Sequence, residues 1–318
     1  MIRLCRPVEP RQSQMGTMRL LPVLLLCWLV ATAACSSRAQ SPAGAGTSPS
    51  KLGTVERNVT YGSASGVSLK MDIYYPRKAS GLFPVVVYVH GGAWASGDRT
   101  WVTALLDIGV LLDRGYMICA IDYRLAPRYK FPAQIEDAKC ALRFLRANAS
   151  NYGIDPARIG AWGESAGGHL SALLGVTDSS AGLEGSGGWA DQSSRVQAVV
   201  DMFGPSDLTD LPAELSQILE DVFGTSDPES DALKRASPLT YISGDDPPFL
   251  LLHGDSDYTV PLSQSQTLLD RLVSAGVPAT LVVVKNSGHD FMSADGPISP
   301  TRAQLTVMVA DFFDKYLR

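Results

Sequence analysis

From residue 84 onward the chain repeats one pattern: continuous apolar runs separated by helix-like or loop segments. The runs lie at 84–89, 117–121, 158–162, 196–203, 248–252 and 280–284. Runs without polar alternation are what strands buried on both faces of a parallel sheet require. Between 55 and 75 the pattern is different. Val67, Leu69, Met71 and Ile73 alternate with their neighbours, which predicts two antiparallel strands joined near Gly66. Helices are legible too. Residues 133–147 carry Ile135, Ala138, Leu142 and Leu145 at spacings of three and four, and 301–317 carry Leu305, Met308, Val309, Phe312 and Phe313 in the same way. The expected fold class is α/β: one doubly wound domain over 54–318, with a mostly parallel sheet of about eight strands and helices on both faces. Functional groups should then gather at the carboxyl ends of the strands. Two stretches break the rhythm. Residues 178–195 are rich in Gly and Ser around Trp189, and 204–247 hold short helix-like pieces expected to form a lid over the sheet's top edge.

The N-terminal segment belongs to another class of pattern. Arg19 precedes an apolar run from Leu20 to Leu29, and then come the small residues Ala31, Ala33 and Ala34 before Cys35. Such a run is short of the ~20 apolar residues a membrane span needs, so residues 1–35 read as a signal peptide with its cleavage region. Thr32-Ala33-Ala34-Cys35 resembles a lipobox, in which Cys35 would carry lipid, although Thr32 departs from the usual aliphatic residue. Plain cleavage would leave Cys35 an ordinary residue. Residues 36–53, SSRAQSPAGAGTSPSKLG, have linker composition. The expectation is an exported protein, lipid-anchored in the cell envelope or secreted, with the membrane touched only through that anchor.

Composition narrows the classes further. With 45% hydrophobic and 19% charged residues among 318, the chain is globular and not disordered or fibrous. Its 27 Lys and Arg against 32 Asp and Glu give net −5 without a dense basic cluster, which argues against a nucleic-acid partner. Removing residues 1–35 takes away Arg3, Arg6, Arg11 and Arg19 but only Glu9, so the remainder is more acidic still. Beyond the leader, Cys119 and Cys140 read as buried thiols; export permits a bridge between them without requiring one. No Cys/His cluster has metal-ligand spacing, so no metal or other cofactor is expected.

The strongest local signal is Gly163-Glu164-Ser165-Ala166-Gly167 between a strand-like and a helical run. A nucleophile on a sharp strand-to-helix turn needs small neighbours, which Gly163 and Gly167 supply. His90-Gly91-Gly92-Ala93-Trp94 follows the 84–89 run and forms a Gly-rich corner able to present backbone N–H groups to an oxyanion. By position the donors are Gly92, Ala93 and Ala166. His90 opens this corner and is expected to brace it; Trp94 either walls a pocket or packs beneath. Gly288-His289-Asp290 follows the last run. Ser165 would attack an acyl carbonyl and His289 would take its proton, with an Asp fixing the imidazole tautomer. Three carboxylates compete for that place: Asp257, Asp255 and Asp207.

H-G-G-A-W, D-Y-R-L-A-P at 122–127, G-E-S-A-G-G-H-L, H-G-D-S-D-Y-T-V-P and G-H-D-F together resemble secreted carboxylesterases of the α/β-hydrolase superfamily. The similarity runs over about 55–318, to the feruloyl/acetyl-xylan-esterase-like and hormone-sensitive-lipase-like branches. It implies an α/β-hydrolase fold and assigns the acid to Asp257, with Asp255 as a loop-stabilising residue. It further implies that Asp122 and Arg124 form a network under the corner, and that Glu164 and His169 are scaffold. Ala93 and Asp290 stand where relatives often carry Gly. The expected function is a serine carboxylesterase, acting through an acyl-enzyme on short-chain acyl or aryl esters of small molecules or carbohydrates. Aryl groups would be tolerated where Trp94 or Trp189 lines the opening. The alternatives are an amide hydrolase of the kynurenine-formamidase or prolyl-peptidase type and a non-catalytic binding module on the same fold.

Overall fold

Among the described residues, eight strands make one sheet: β1 Val55–Ala64, β2 Val67–Tyr74, β3 Phe83–Val89, β4 Met117–Ile121, β5 Ile154–Glu164, β6 Ala198–Met202, β7 Phe249–Gly254 and β8 Ala279–Val284. Their spatial order is β1-β2-β4-β3-β5-β6-β7-β8. β2 pairs antiparallel with both β1 and β4, and all other pairs are parallel. This computed structural model describes residues 52–77 and 81–318. The signal peptide, Cys35 and the expected linker up to residue 51 therefore lie outside the described residues. Leu52 is buried against the domain, so packing includes residue 52, ahead of the expected boundary at 54.

The unalternating runs are explained by burial on both faces. In β3, Val85, Val87 and Val89 enter one core, while Val86 and Tyr88 enter the other. Helices cover each side. The first core receives helix α2 (Ala133–Ala147) through Ile135 and Leu142, and helix α3 (Ala166–Val176) through Leu170 and Leu173. The second receives α1 (Ile108–Asp113) and the C-terminal helix, Arg302–Leu317, through Ile108, Leu305, Val309 and Phe313. Each of these last two helices begins on a side-chain cap. The Asp107 carboxylate accepts the Gly109 N–H, and Thr301 with Gln304 forms a reciprocal capping box. β6 ends one residue before the apolar run 196–203 does, where Phe203 leaves the strand at φ 44°.

Register fixes what meets at the top edge. Val89 is opposite Gly163, Glu164 opposite Met202, Met202 opposite Leu252, and Gly254 opposite Val284. Strands β3, β5, β6, β7 and β8 thus end side by side, and the loops after them share one crest, as open α/β sheets require of a site.

Two expectations need correction. Asp122 and Arg124 do not form one network. Asp122 accepts from the Arg99 guanidinium and the Arg99 N–H, whereas Arg124 is held bidentately by buried Asp137 on α2. The two side chains thus belong to separate ion pairs, Asp122 with Arg99 and Arg124 with Asp137. Trp189 stands away from the crest as well. Its Nε1–H donates to Tyr61 O on edge strand β1 at 2.9 Å, and its ring packs on Phe144 of α2. Cys119 and Cys140 are both buried free thiols, and burial pushes Cys140 up to about 11.

Candidate active site

The turn after β5 is built around space that no side chain could occupy. A Cβ on Gly163 would lie 2.3 Å from Gly167 O, and one on Gly167 would lie 2.0 Å from Val89 O. Glycine at both ends lets the chain reverse tightly enough to hold Ser165 at φ 53°, ψ −120°, a conformation L-residues rarely adopt. Two bonds maintain it. Ser165 N–H donates to Met202 O at 2.8 Å, and Ser165 O accepts from His169 N–H at 3.0 Å as α3 starts.

His289 follows β8 and faces this turn. Ser165 Oγ lies 3.0 Å from His289 Nε2, and Asp257 Oδ2 lies 2.7 Å from Nδ1. A carboxylate accepts only, so Nδ1 carries the proton and Nε2 is free to accept from the Ser165 hydroxyl. Asp257 is itself fixed, its Oδ1 accepting the Thr259 and Val260 N–H groups at 2.9 and 3.0 Å. Burial opposes its ionisation. Hydrogen bonding from His253 and His289, with the Val260 N–H, outweighs that and holds the carboxyl well below the usual carboxylate range. The other two carboxylates are engaged elsewhere. Asp207 Oδ1 accepts from Thr209 N–H and Oγ1–H, while Asp255 Oδ1 accepts from Ser287 N–H and Ser256 Oγ–H.

The corner after β3 stands beside the turn. Gly92, Ala93 and Trp94 have φ of 100°, 52° and 57°, and Gly92 O accepts from the Ala95 and Ser96 N–H groups. Among the described residues no acceptor takes the N–H of Gly92 or Ala93. Ala166 is the first residue of α3, where an N–H has no acceptor within the helix. His90 braces the corner: its ring stacks on Tyr123 at 4.1 Å, and Nδ1 meets Gly91 O at 2.7 Å. Trp94 packs beneath and is 5% exposed, so it does not wall an opening. Its Nε1–H donates to His169 Nδ1 at 3.1 Å, and His169 Nε2 bonds Ala236 O at 2.8 Å. Burial lowers His169 to about 4, which keeps it neutral in this chain of bonds.

The expected lid segment is clamped to this arrangement. Its main helix, α4 (Ser216–Phe223), buries Leu219, Val222 and Phe223. Phe223 meets Trp94 edge-on at 5.2 Å and Phe131 at 5.5 Å. Upstream, Gln264 accepts from the Ser206 and Asp207 N–H groups and donates to Asp210 O.

A serine on a strained turn, a histidine and a buried carboxylate in one hydrogen-bonded row, beside free backbone donors, is an acyl-transfer arrangement. Comparison with known proteins agrees with the fold that carries it. The BD-FAE family model matches residues 71–272. The chain belongs to the BD-FAE family. Its fold is that of the α/β-hydrolase carboxylesterases. Esterase LipC of Mycobacterium tuberculosis is 33% identical over 220 residues, 67% of this chain and 54% of LipC. This BD-FAE chain thus spans about half the length of the curated relatives it matches. Among solved structures, a truncated carbohydrate esterase from gut microbiota is 32% identical with a TM-score of 0.72, covering 85% of this chain and 98% of that one. Esterase 2 of Thermogutta terrifontis with propionate bound is 28% identical with a TM-score of 0.67, covering 80% and 92%. The same enzyme has been solved phosphorylated by paraoxon.

Three residues of this BD-FAE site gave no separate signal in the sequence. Phe203 ends an apolar run, yet its ring supports His289 edge-on at 4.7 Å. His253 lies behind Asp257. Glu164, read as scaffold, is a buried carboxyl whose Oε1 accepts from Tyr88 O–H at 2.6 Å and Gly91 N–H at 3.0 Å, while Oε2 has no partner among the described residues. Burial raises it from 4.5 to about 8, against those two bonds and with Asp290 adding to the rise.

Between about 4.5 and 8 the unfolded chain carries an ionised Glu164 and the folded chain a neutral one, so stability falls as pH rises through that window. Below it both states are protonated and the contribution is fully present. Glu164→Gln keeps one acceptor and removes the titration. It should be more stable than wild type at pH 8 by about 1–3 kcal/mol, with the gap closing towards pH 4.5. Thermal melts of both proteins from pH 4.5 to 8.5 test this, and parallel curves would refute it.

Proposed function

We propose that the protein is a serine carboxylesterase that cleaves short-chain acyl esters through an acyl-enzyme intermediate. The observation that carries the reading is the continuous row Ser165 Oγ, His289, Asp257, with both links at hydrogen-bond length. Ser165 Oγ attacks the ester carbonyl carbon and its proton passes to His289 Nε2, while Asp257 stabilises the imidazolium. Oxyanion charge falls on the Gly92, Ala93 and Ala166 N–H groups, which are already held in place and need no reorganisation. Collapse of the tetrahedral species breaks the acyl–oxygen bond, and the Nε2 proton leaves with the alcohol. Water then repeats the sequence on the acyl-Ser165 ester, returning the proton to the serine.

Several observations support ester over amide chemistry and short acyl groups over long ones. The similar proteins are esterases, and one of them holds propionate. In α4, an eight-residue helix, the apolar side chains Leu219, Val222 and Phe223 are turned inward. A long acyl chain gains ~0.8 kcal/mol per methylene only where it is buried, and that face is already taken. Similarity to a carbohydrate esterase supports a sugar-linked alcohol. Neither Trp94 nor Trp189 offers a wall for an aryl acyl group, which narrows the proposal to aliphatic ones. The leader supports an exported location, with Cys35 as the candidate lipid-bearing residue.

The test is the p-nitrophenyl ester series from two to sixteen carbons. kcat/KM should peak at acetyl to butyryl and fall by octanoyl. An optimum at ten carbons or beyond would refute the short-chain assignment, and the absence of turnover on every ester would refute the activity.

A further inference from the structure

His253 closes β7 and is completely buried. Its Nδ1 lies 2.7 Å from Ser265 Oγ, and its Nε2 lies 2.9 Å from Val260 O and 3.4 Å from Asp257 Oδ2. The tautomer can be read from these partners. Carbonyl and carboxylate oxygens have no proton to give, so Nε2 must carry one. It donates principally to Val260 O, and Asp257 Oδ2 takes the longer, weaker share. Nδ1 is then the acceptor for the Ser265 hydroxyl, which is buried on the helix Ser263–Ser274.

Asp257 is thereby enclosed between two imidazoles. Oδ2 receives His289 Nδ1–H from the solvent side and faces His253 Nε2–H from the core side. Oδ1 receives two backbone N–H groups from the turn 257–260, and the carbonyl of that same turn is what His253 holds. A side chain on a rigid strand end thus fixes both the acid and the loop that presents it.

We propose that His253 is a positioning residue for the ester-cleaving reaction: it orients Asp257 towards His289 and does not itself meet substrate. The inference rests on the assignment of Ser165, His289 and Asp257 above. It requires that the contribution of His253 pass through Asp257, because a misplacement of about 1 Å at an orienting group can cost 10²-fold in rate.

The experiment is a double-mutant cycle on p-nitrophenyl acetate hydrolysis, with His253→Leu, His253→Gln, Asp257→Asn and the combinations. His253→Leu should lower kcat by about 10²-fold with KM within about threefold. His253→Gln retains an N–H near the Nε2 position and should recover most of that loss. In the Asp257→Asn background, either change at 253 should cost less than about threefold, since the acid they act through is already gone. Circular dichroism and melting curves identify any variant that fails to fold. If His253→Leu is one, Ser265→Ala, which loosens the ring without emptying its site, replaces it in the cycle with a smaller expected loss. Additive losses in the cycle, or an unimpaired folded His253→Leu beside a crippled Asp257→Asn, would overturn the inference alone. An Asp257→Asn variant with near-wild-type kcat would instead remove the catalytic assignment, and this inference with it.

Discussion

Ser165→Ala should lower esterase kcat by about 10⁴- to 10⁶-fold and leave the fold intact. The hydroxyl is the only atom lost, and the turn that holds it is secured by main-chain bonds from Ser165 N–H to Met202 O and from His169 N–H to Ser165 O. What remains is rate enhancement from the corner donors and from binding, which in triad enzymes survives removal of the nucleophile. Paraoxon offers a second readout, because the similar Thermogutta esterase is phosphorylated by it. Wild-type protein should gain one diethylphosphoryl group at Ser165 by mass spectrometry, and the variant none. A purified Ser165→Ala protein retaining a tenth of the activity would exclude this serine as nucleophile.

The second large effect separates neighbouring carboxylates. Asp257→Asn should cost about 10⁴-fold in kcat, because an amide can present its NH₂ to Nδ1 and so favour the wrong imidazole tautomer. Asp255→Asn should cost less than about threefold. Its carboxylate bonds Ser287 N–H at 3.3 Å and lies 3.6 Å from Lys285 Nζ, whereas the His289 ring is bonded to Asp257. Kinetics of the two variants on one ester decide the point, and a reversed ranking would move the acid to residue 255.

Much of the fold could be read from local pattern, and the reasons are physical. Strand β4 and helix α2 fall where their apolar residues predict, since a doubly buried strand and a one-sided helix leave different periods in the chain. The glycines of the serine turn are likewise self-explanatory once the turn is recognised, for the space is occupied by main chain. Pairings across long sequence separations are not local. Arg124 has Asp122 two residues away and Asp137 thirteen away, and only the helix returning beneath it decides for the latter. Phe203 follows β6 and His253 is the penultimate residue of β7, and the residue type alone does not reveal that one supports His289 and the other faces Asp257. Trp189 needed the course of a long loop, which carries it to the β1 edge.

The 204–247 segment and the Gly92–Ala93 corner are joined by one stack of side chains: Phe223 on Trp94, Trp94 to His169, and His169 to the carbonyl of Ala236, the last residue of the short helix Asp231–Ala236. That segment and the strand crest are therefore not separable modules. Replacing the 204–247 segment with that of a known esterase, to change the proposed acyl preference, would also withdraw the pillar beneath Trp94, and Trp94 continues the backbone run of Gly92 and Ala93. Selectivity and turnover should consequently be inherited together in this protein. A lid that drifts in sequence must keep an aromatic at 223 and a carbonyl within reach of His169, whatever else its outer surface becomes.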